Sequence, residues 1–175
     1  AYGPRNIELP EEEVKERVAE AAQVVGLGEG YFTEHPFFLS KGLRQRVAIA
    51  SILALRPRVI IVDEPTTGQD KYQSIEIMNF LKGLNEEHGH TIIIITHDMP
   101  IVAAYAKRVV AMGTGRILAD DAPDKVFSQP DVLAKTFLEP PQITQLAHRA
   151  RLLGFDQGVL TVGEMKEEFD RLMPR

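Results

Sequence analysis

The chain has 175 residues, which is enough for one domain with a hydrophobic core and a small appendage. It carries 20 Lys and Arg against 25 Asp and Glu, and the net charge of −5 argues against a dedicated nucleic-acid-binding protein. The sequence contains no cysteine, which excludes disulfides, thiolate metal sites and a cysteine nucleophile. No apolar stretch of the sequence approaches the length of a membrane span.

Two helices are predicted in the first third of the chain. The proline and three acids at Pro10–Glu13 are typical of a helix start, and Gly26 supplies a stop. Ser40 stands at the N-cap position of a second helix, which we expect to end near Leu55. The first helix has one apolar face, formed by Val14, Val18, Ala21, Ala22 and Val25.

Two short runs rich in β-branched residues predict buried strands. They are Val59–Val62 and Thr91–Ile95, and neither run alternates between apolar and polar residues. We therefore expect both faces of each strand to be buried, as in the middle of a parallel sheet. The order of elements predicts a βαβ unit, because the segment between the strands has a helical apolar face formed by Ile77, Met78, Leu81 and Leu84.

The rest of the chain predicts a helix after Pro100, a hairpin and a small extension. Residues Arg108–Met112 and Arg116–Ala119 flank Gly113-Thr114-Gly115, which is typical of a hairpin, and we expect it at the edge of the sheet. Beyond the hairpin, prolines divide the chain into short helical pieces. The last helix is predicted near Val162–Met173.

Ionisable residues follow both predicted strands. The first strand runs into Asp63 and Glu64, and the second runs into Thr96, His97 and Asp98. In open parallel sheets, ligands bind beyond the carboxyl ends of the strands. One carboxylate there could hold Mg²⁺, and the other could orient or deprotonate a water. Taken alone, the acidic pair could also simply cap the loop that follows it.

Several motifs resemble those of ATP-binding cassette (ABC) ATPases, in the order and spacing of that family. Val59–Asp70 resembles the Walker B strand and D-loop, Leu39–Ala48 the signature motif and its helix, and Ile93–Asp98 the H-loop. The hairpin that ends in Gly115–Asp120 also matches. Each motif is weak singly, but together they identify the chain as a member of this family.

The resemblance implies an α/β fold with three parts. These are a RecA-like P-loop NTPase core, present in part and built on a parallel sheet, an ABC helical subdomain, and a small C-terminal extension. We expect the helical subdomain, with the signature motif, over 1–55 and the C-terminal half of the nucleotide-binding core over 56–120. The extension would cover 121–175, and we expect it to take part in dimerisation.

The resemblance also implies ATP and Mg²⁺ as cofactors, and it implies roles for the residues at the strand ends. Asp63 would hold Mg²⁺, mostly through water. Glu64 would polarise the attacking water, and His97 would contact the γ-phosphate and help to arrange that water. Phosphoryl transfer depends mainly on positioning and charge stabilisation, and these three roles supply both.

A second set of residues is expected to act across a dimer interface. Ser40 and Gly42 stand at the start of a predicted helix, and helix N-termini attract anions. The resemblance implies that the Ser40 side chain and the Gly42 amide bind the γ-phosphate of the nucleotide held by the opposite subunit. Lys41 could add a cation near that phosphate or could extend into solvent. Gly68 and Asp70 would line the interface between two ATPase subunits.

The signature motif departs from the family pattern Leu-Ser-Gly-Gly-Gln. Lys41 replaces a glycine and Leu43 replaces the glutamine, while in the D-loop Gln69 stands where a leucine is usual. The change at Leu43 removes a polar side chain. These departures bear on how strongly the signature serves its partner's site, and not on the family.

The phosphate-binding loop of the family, which ends in Gly-Lys-Ser/Thr, does not occur in the sequence. Tyr2–Asn6 resembles the stretch just past the Q-loop. We therefore expect the phosphate loop, the adenine-stacking aromatic residue and the Q-loop glutamine to lie upstream of Ala1. The chain would then be a C-terminal fragment, inactive on its own.

Three stretches resemble the ATPases of energy-coupling factor and cobalt-type importers: Tyr2–Asn6, Ala122–Phe127 and Pro140–Thr144. Those importers take up vitamins or transition-metal ions, so we expect an ATP-hydrolysing subunit that powers such an importer. Its expected partners are a second ABC ATPase subunit, in a homodimer or heterodimer, and integral membrane transporter subunits, but no nucleic acid. It would lie at the cytoplasmic face of the cell membrane as a peripheral protein.

Two alternatives remain open from the sequence. One is an ABC-type ATPase that acts on DNA or ribosomes, although neither a heptad run nor a basic linker is visible. The other is a dimerisation partner with a degenerate site. The altered signature favours this second alternative, and the intact Asp63, Glu64 and His97 count against it.

Overall fold

The computed structural model describes residues 1–136 and 138–173, which divide into two compact units. The first unit comprises Ala1–Ile60 and His88–Thr91, and the second comprises Ile61–Glu87 and Ile92–Arg175. The extension expected over 121–175 includes three residues that lie outside the described ones: Phe137, Pro174 and Arg175.

Helices form most of the first unit: α1 (Tyr2–Asn6), α2 (Glu11–Val24) and α3 (Lys41–Leu53), with 3₁₀ turns at Glu29–Tyr31 and Pro36–Phe38. The three acids that open α2 complement the positive end of its dipole. The chain leaves α2 through Gly26 at φ 66°, a left-handed conformation that glycine adopts without strain. Both predicted helices are confirmed, and α2 and α3 pack against each other.

The predicted βαβ unit is also confirmed. It consists of β1 (Val59–Asp63), α4 (Lys71–Glu86) and β2 (Thr91–Ile95), and β1 pairs with β2. The strands run parallel, because the Thr91 N–H donates to the Arg58 carbonyl while the Glu64 N–H donates to the Ile95 carbonyl, each at 2.9 Å.

The expectation that both faces of each strand are buried is wrong. Along β2, half-buried residues alternate with exposed ones, and on β1 only Ile60 is fully buried. Ile61, Ile93 and Ile95 are 62%, 46% and 54% exposed. The physical reason is that these strands form a two-stranded sheet that is covered on one face only, whereas continuous apolar runs are typical of strands covered on both.

The hairpin is confirmed, but its place in the sheet is not. β3 (Val109–Gly113) and β4 (Arg116–Asp121) are antiparallel, with an irregularity between Ala111 and Met112. Thr114 and Gly115 both have positive φ, at 50° and 73°, as a two-residue hairpin turn requires. The two strands form a sheet of their own and not the edge of the β1–β2 sheet. Within the described part of the chain they pair only with each other, and they pack against α6 (Pro123–Phe127) and α7 (Pro130–Thr136).

The remaining helices are α5 (Met99–Tyr105), α6 (Pro123–Phe127), α7 (Pro130–Thr136), α8 (Gln142–Arg149) and α9 (Val162–Leu172), with a 3₁₀ turn at Arg151–Leu153. α5, α6 and α7, together with β3, contribute to a core cluster of Met99, Ala111, Val126, Phe127 and Leu133. Residues on both sides of position 120 contribute to this cluster, and the boundary expected there stays a prediction. Among the described residues, none of the helices has both the length and the apolar character of a membrane span.

Candidate functional site

The carboxyl ends of β1 and β2 bring Glu64 and His97 together. Glu64 directly follows β1, and the parallel pairing of the strands places the residues after β2 at the same edge of the sheet. The imidazole Nδ1 of His97 lies 2.6 Å from Oε1 of Glu64. The backbone N–H of His97 donates to the same oxygen at 3.2 Å.

Two threonine hydroxyls contact the other carboxylate oxygen. Oγ1 of Thr67 donates to Oε2 of Glu64 at 3.0 Å, and Oγ1 of Thr96 donates to it at 3.3 Å. Sequence reasoning missed both hydroxyls. The available signal was Thr96, a polar residue that ends an otherwise apolar run just before the histidine.

The backbone at Glu64 turns sharply to direct its side chain toward the end of β2. Glu64 has φ 47°, a left-handed conformation that costs a residue with a Cβ about 1–2 kcal/mol. The turn is closed by a hydrogen bond from the Thr67 N–H to the Glu64 carbonyl at 3.2 Å. Strain of this kind persists where the surrounding structure determines the conformation, and it is typical of functional sites.

The contact between Glu64 and His97 changes the pKa of both groups. The hydrogen bond from His97 is the main cause that lowers the pKa of the Glu64 carboxyl. Desolvation opposes it, while the Thr67 hydroxyl and the charge of the imidazole add to the lowering. The same hydrogen bond raises the pKa of His97, helped by the negative charges of Glu64 and Asp98. The pair therefore favours an ionised carboxylate beside a protonated imidazole.

Asp63, the last residue of β1, has the properties expected of a Mg²⁺ ligand. Its side chain is exposed, and within the described part of the chain it forms no hydrogen bond or ion pair. The described residues also contain no cluster of three or more His, Cys, Asp or Glu side chains that could enclose a metal ion. A single open carboxylate fits Mg²⁺, which keeps several waters and binds through one or two carboxylates together with substrate phosphates.

The predicted phosphate-binding residues Ser40 and Gly42 lie in the first compact unit, at the start of α3. Oγ of Ser40 accepts a hydrogen bond from the Leu43 N–H at 3.3 Å, so the hydroxyl proton remains available to a ligand. Gly42 is exposed, and a side chain there would meet no atom within 4 Å. Lys41, at the first position of α3, is exposed.

The two residues expected at a dimer interface also have local structural roles. Asp70 caps α4, because its Oδ1 accepts a hydrogen bond from the Gln73 N–H at 2.8 Å. Gly68 has φ 70°, where a residue with a side chain would be strained. Sequence reasoning missed the cap, although Asp is a preferred residue at that position. The interface role of both residues stays a prediction.

Residues 4–67 match the family described as ABC transporter. The chain is 43% identical over 169 residues to the energy-coupling factor transporter ATP-binding protein EcfA1 of Caldanaerobacter subterraneus subsp. tengcongensis, covering 95% of this chain and 60% of the relative. Its structure is similar to that of cbiO1 from Clostridium perfringens, part of the ABC transporter complex cbiONQ. The sequence identity is 39%, the TM-score is 0.65, and the match covers 84% of this chain and 58% of that one.

A dimeric structure of the ATP-binding cassette MJ0796 bound to ADP and Pi is also similar, with 34% identity, a TM-score of 0.52, and coverage of 66% of this chain and 49% of that one. The chain thus spans less than two thirds of the length of each of these relatives. These similarities confirm the expected α/β fold of the RecA-like ABC ATPase domain. The chain belongs to the family of ABC transporter ATP-binding proteins.

Proposed function

We propose that the whole protein is an ATP-hydrolysing subunit that powers a membrane importer of the energy-coupling factor type. The observation that carries the proposal is the contact of Glu64 with His97 beyond two parallel strands, in a chain of the ABC family. The names of the relatives, an energy-coupling factor ATP-binding protein and a subunit of cbiONQ, support the importer class. The imported substrate would be a vitamin or a transition-metal ion.

The proposed chemistry is attack of water on the γ-phosphorus of ATP. Glu64 is the general base: one of its carboxylate oxygens accepts a proton from the water as the water attacks. His97 would then donate a hydrogen bond to the γ-phosphate and help to hold the water in line. Both residues lie at the sheet edge where ligands of open parallel sheets bind.

Two groups of residues would meet the charge on the phosphates of two different nucleotides. Asp63 would hold Mg²⁺, and the bound ion would neutralise part of the charge on the phosphates. The Ser40 hydroxyl and the Gly42 amide would bind the γ-phosphate of the nucleotide held by a second ATPase subunit, because both lie at a helix N-terminus that attracts anions. Lys41 would add a positive charge there.

The proposed partners are a second ABC ATPase subunit and integral membrane transporter subunits. The dimeric form of the MJ0796 cassette supports the first, and the similarity to cbiO1, which is part of the ABC transporter complex cbiONQ, supports the second. Gly68 and Asp70 would line the interface between ATPase subunits, and the segment 121–175 would strengthen their pairing. The protein would work at the cytoplasmic face of the membrane, held there by its membrane-embedded partners.

The decisive experiment is the variant Glu64→Gln in the whole protein assembled with its partners. Loss of a general base should lower the rate of ATP hydrolysis by about a hundredfold or more, while ATP binding is retained. Glu76→Gln is the matched control, because it makes the same change at an exposed position on α4. An ATPase rate for Glu64→Gln equal to that of the control would contradict the proposal.

A second candidate is a dimerisation partner with a degenerate signature site. The observation that favours it is Leu43, a half-buried apolar side chain where the family pattern has glutamine. In this case the subunit would be a non-catalytic partner whose role is dimerisation. Measuring turnover with and without the partner subunit distinguishes the two candidates.

A further inference from the structure

The carboxylate of Glu64 accepts four hydrogen bonds, which is the full capacity of its two oxygens. Oε1 accepts from the backbone N–H and the imidazole Nδ1 of His97, and Oε2 accepts from the hydroxyls of Thr67 and Thr96. In this arrangement no lone pair is left for the proton of an attacking water. At least one donor must therefore leave before the carboxylate can act as a base.

The four donors differ in how firmly they are held. The Thr96 hydroxyl accepts a hydrogen bond from the Asp98 N–H at 3.1 Å, so its single proton is directed to Glu64. Thr67 lies in the turn at Glu64, which is closed by the hydrogen bond from the Thr67 N–H to the Glu64 carbonyl. The His97 side chain is 76% exposed, compared with 33% for Glu64, and it can rotate into solvent. The imidazole therefore has room to turn away from Oε1, toward the γ-phosphate that it would contact.

We propose that Thr67 and Thr96 are positioning residues that hold Oε2 of Glu64 in place while Oε1 receives the attacking water after the His97 imidazole has turned away. This inference rests on the proposed function, because it takes Glu64 as the base. With both hydroxyls on Oε2 and the His97 backbone N–H on Oε1, the carboxylate stays fixed and one lone pair of Oε1 becomes free for the water. Such positioning lowers the barrier to proton transfer without contributing to nucleotide binding.

The test compares valine and serine at each threonine, in the whole protein assembled with its partners. Thr67→Val removes one hydrogen-bond donor to a charged group, so kcat should fall about tenfold. The KM for ATP should stay unchanged, because the hydroxyl contacts the base and not the nucleotide. Thr67→Ser keeps the hydroxyl and should restore kcat. Thr96→Val should lower kcat at least as much, since it also removes the acceptor of the Asp98 N–H.

Thr91→Val, at the exposed start of β2, is the matched control and should leave kcat unchanged. A wild-type kcat for Thr67→Val, or a serine variant no better than valine, would overturn the positioning role. Glu64→Gln is measured alongside. If Glu64→Gln abolishes hydrolysis while Thr67→Val has no effect, only this inference fails. If Glu64→Gln itself is fully active, the proposed function fails and the inference fails with it.

Discussion

The carboxylate of Glu64 and the imidazole of His97 lie 2.6 Å apart although they are 33 positions apart in the chain. An ionised carboxylate can only accept hydrogen bonds, so the proton in this contact resides on Nδ1 of His97. Because each group stabilises the charged form of the other, the protonation of the two side chains is coupled. The contact should therefore make the stability of the folded protein depend on pH.

We predict that the Glu64–His97 pair stabilises the folded protein most between the ordinary pKa values of its members, 4.5 and 6.5. The pKa of Glu64 is lowered on folding, so its contribution is lost as pH falls through the folded value, below 4.5. The pKa of His97 is raised on folding, so its contribution is lost as pH rises through the folded value, above 6.5.

Urea denaturation of the whole protein at a series of pH values measures this effect. Either His97→Asn or Glu64→Gln should make the free energy of unfolding depend less on pH, both below pH 4.5 and above pH 6.5. His88→Asn, at an exposed position, is the control and should keep the profile of the wild type. The effect is expected to be small, since solvent screens a contact in which the histidine is largely exposed. A His97→Asn profile identical to that of the wild type would count against the pairing.

A second prediction concerns the altered signature motif. If Lys41 and Leu43 weaken the composite site, Lys41→Gly combined with Leu43→Gln should raise the ATPase rate of the assembled dimer. Restoring one neutral hydrogen bond to the bound nucleotide would give about a fivefold gain. The gain should appear at the site that this signature completes, where the base belongs to the partner subunit. Adding Glu64→Gln to the same subunit isolates that site, because it inactivates the other one. An unchanged or lower rate means that the degenerate-site candidate should be dropped.

Much of the fold follows from local patterns in the sequence. The helix that begins after Pro10 and the one capped by Ser40 were predicted from chemistry that acts within a few residues, and both are present. The exposure of Ile61 and Ile93 could not be predicted, because it depends on which layers cover the sheet. The place of the hairpin was also mispredicted, since its turn determines the pairing of β3 with β4 but not their neighbours.

The candidate site, like the fold, was predicted only in part. Glu64 and His97 were each predicted to follow a strand of a parallel sheet, at the edge where ligands bind, whereas their direct contact was not predicted. The hydroxyls of Thr67 and Thr96 were not predicted. Their hydrogen bonds depend on the positive φ of Glu64 and on side-chain rotamers, and neither has a signature in the sequence.

A third prediction tests the extension. Thr144 on α8 is completely buried, and its Oγ1 donates to the Val159 carbonyl at 2.8 Å. Thr144→Val keeps the shape but leaves that carbonyl without its donor, so the free energy of unfolding should fall by about 1–3 kcal/mol. Thr144→Ser keeps the donor and should lose less. Hydrogen exchange of the α8 amides should rise in the valine variant, and equal protection in all three proteins would contradict the role of this bond.

The last prediction is that the 175-residue chain by itself does not bind Mg·ATP with micromolar affinity. Charge-assisted hydrogen bonds to phosphate are among the strongest in proteins, and in this family the Gly-rich loop and its lysine supply most of them. No such loop occurs in these residues.

The chain would place two carboxylates, Asp63 and Glu64, near a bound polyphosphate, and they would repel its negative charge. The positive charge that the raised pKa of His97 favours offsets this repulsion only in part. The signature residues Ser40 and Gly42 cannot compensate, because their proposed ligand is the γ-phosphate held by another subunit. Isothermal titration calorimetry with Mg·ATP, on chain verified by mass spectrometry, measures the affinity directly. The whole protein serves as the positive control. Micromolar binding by the verified chain would mean that these 175 residues contain a phosphate site other than the one assigned to Ser40 and Gly42.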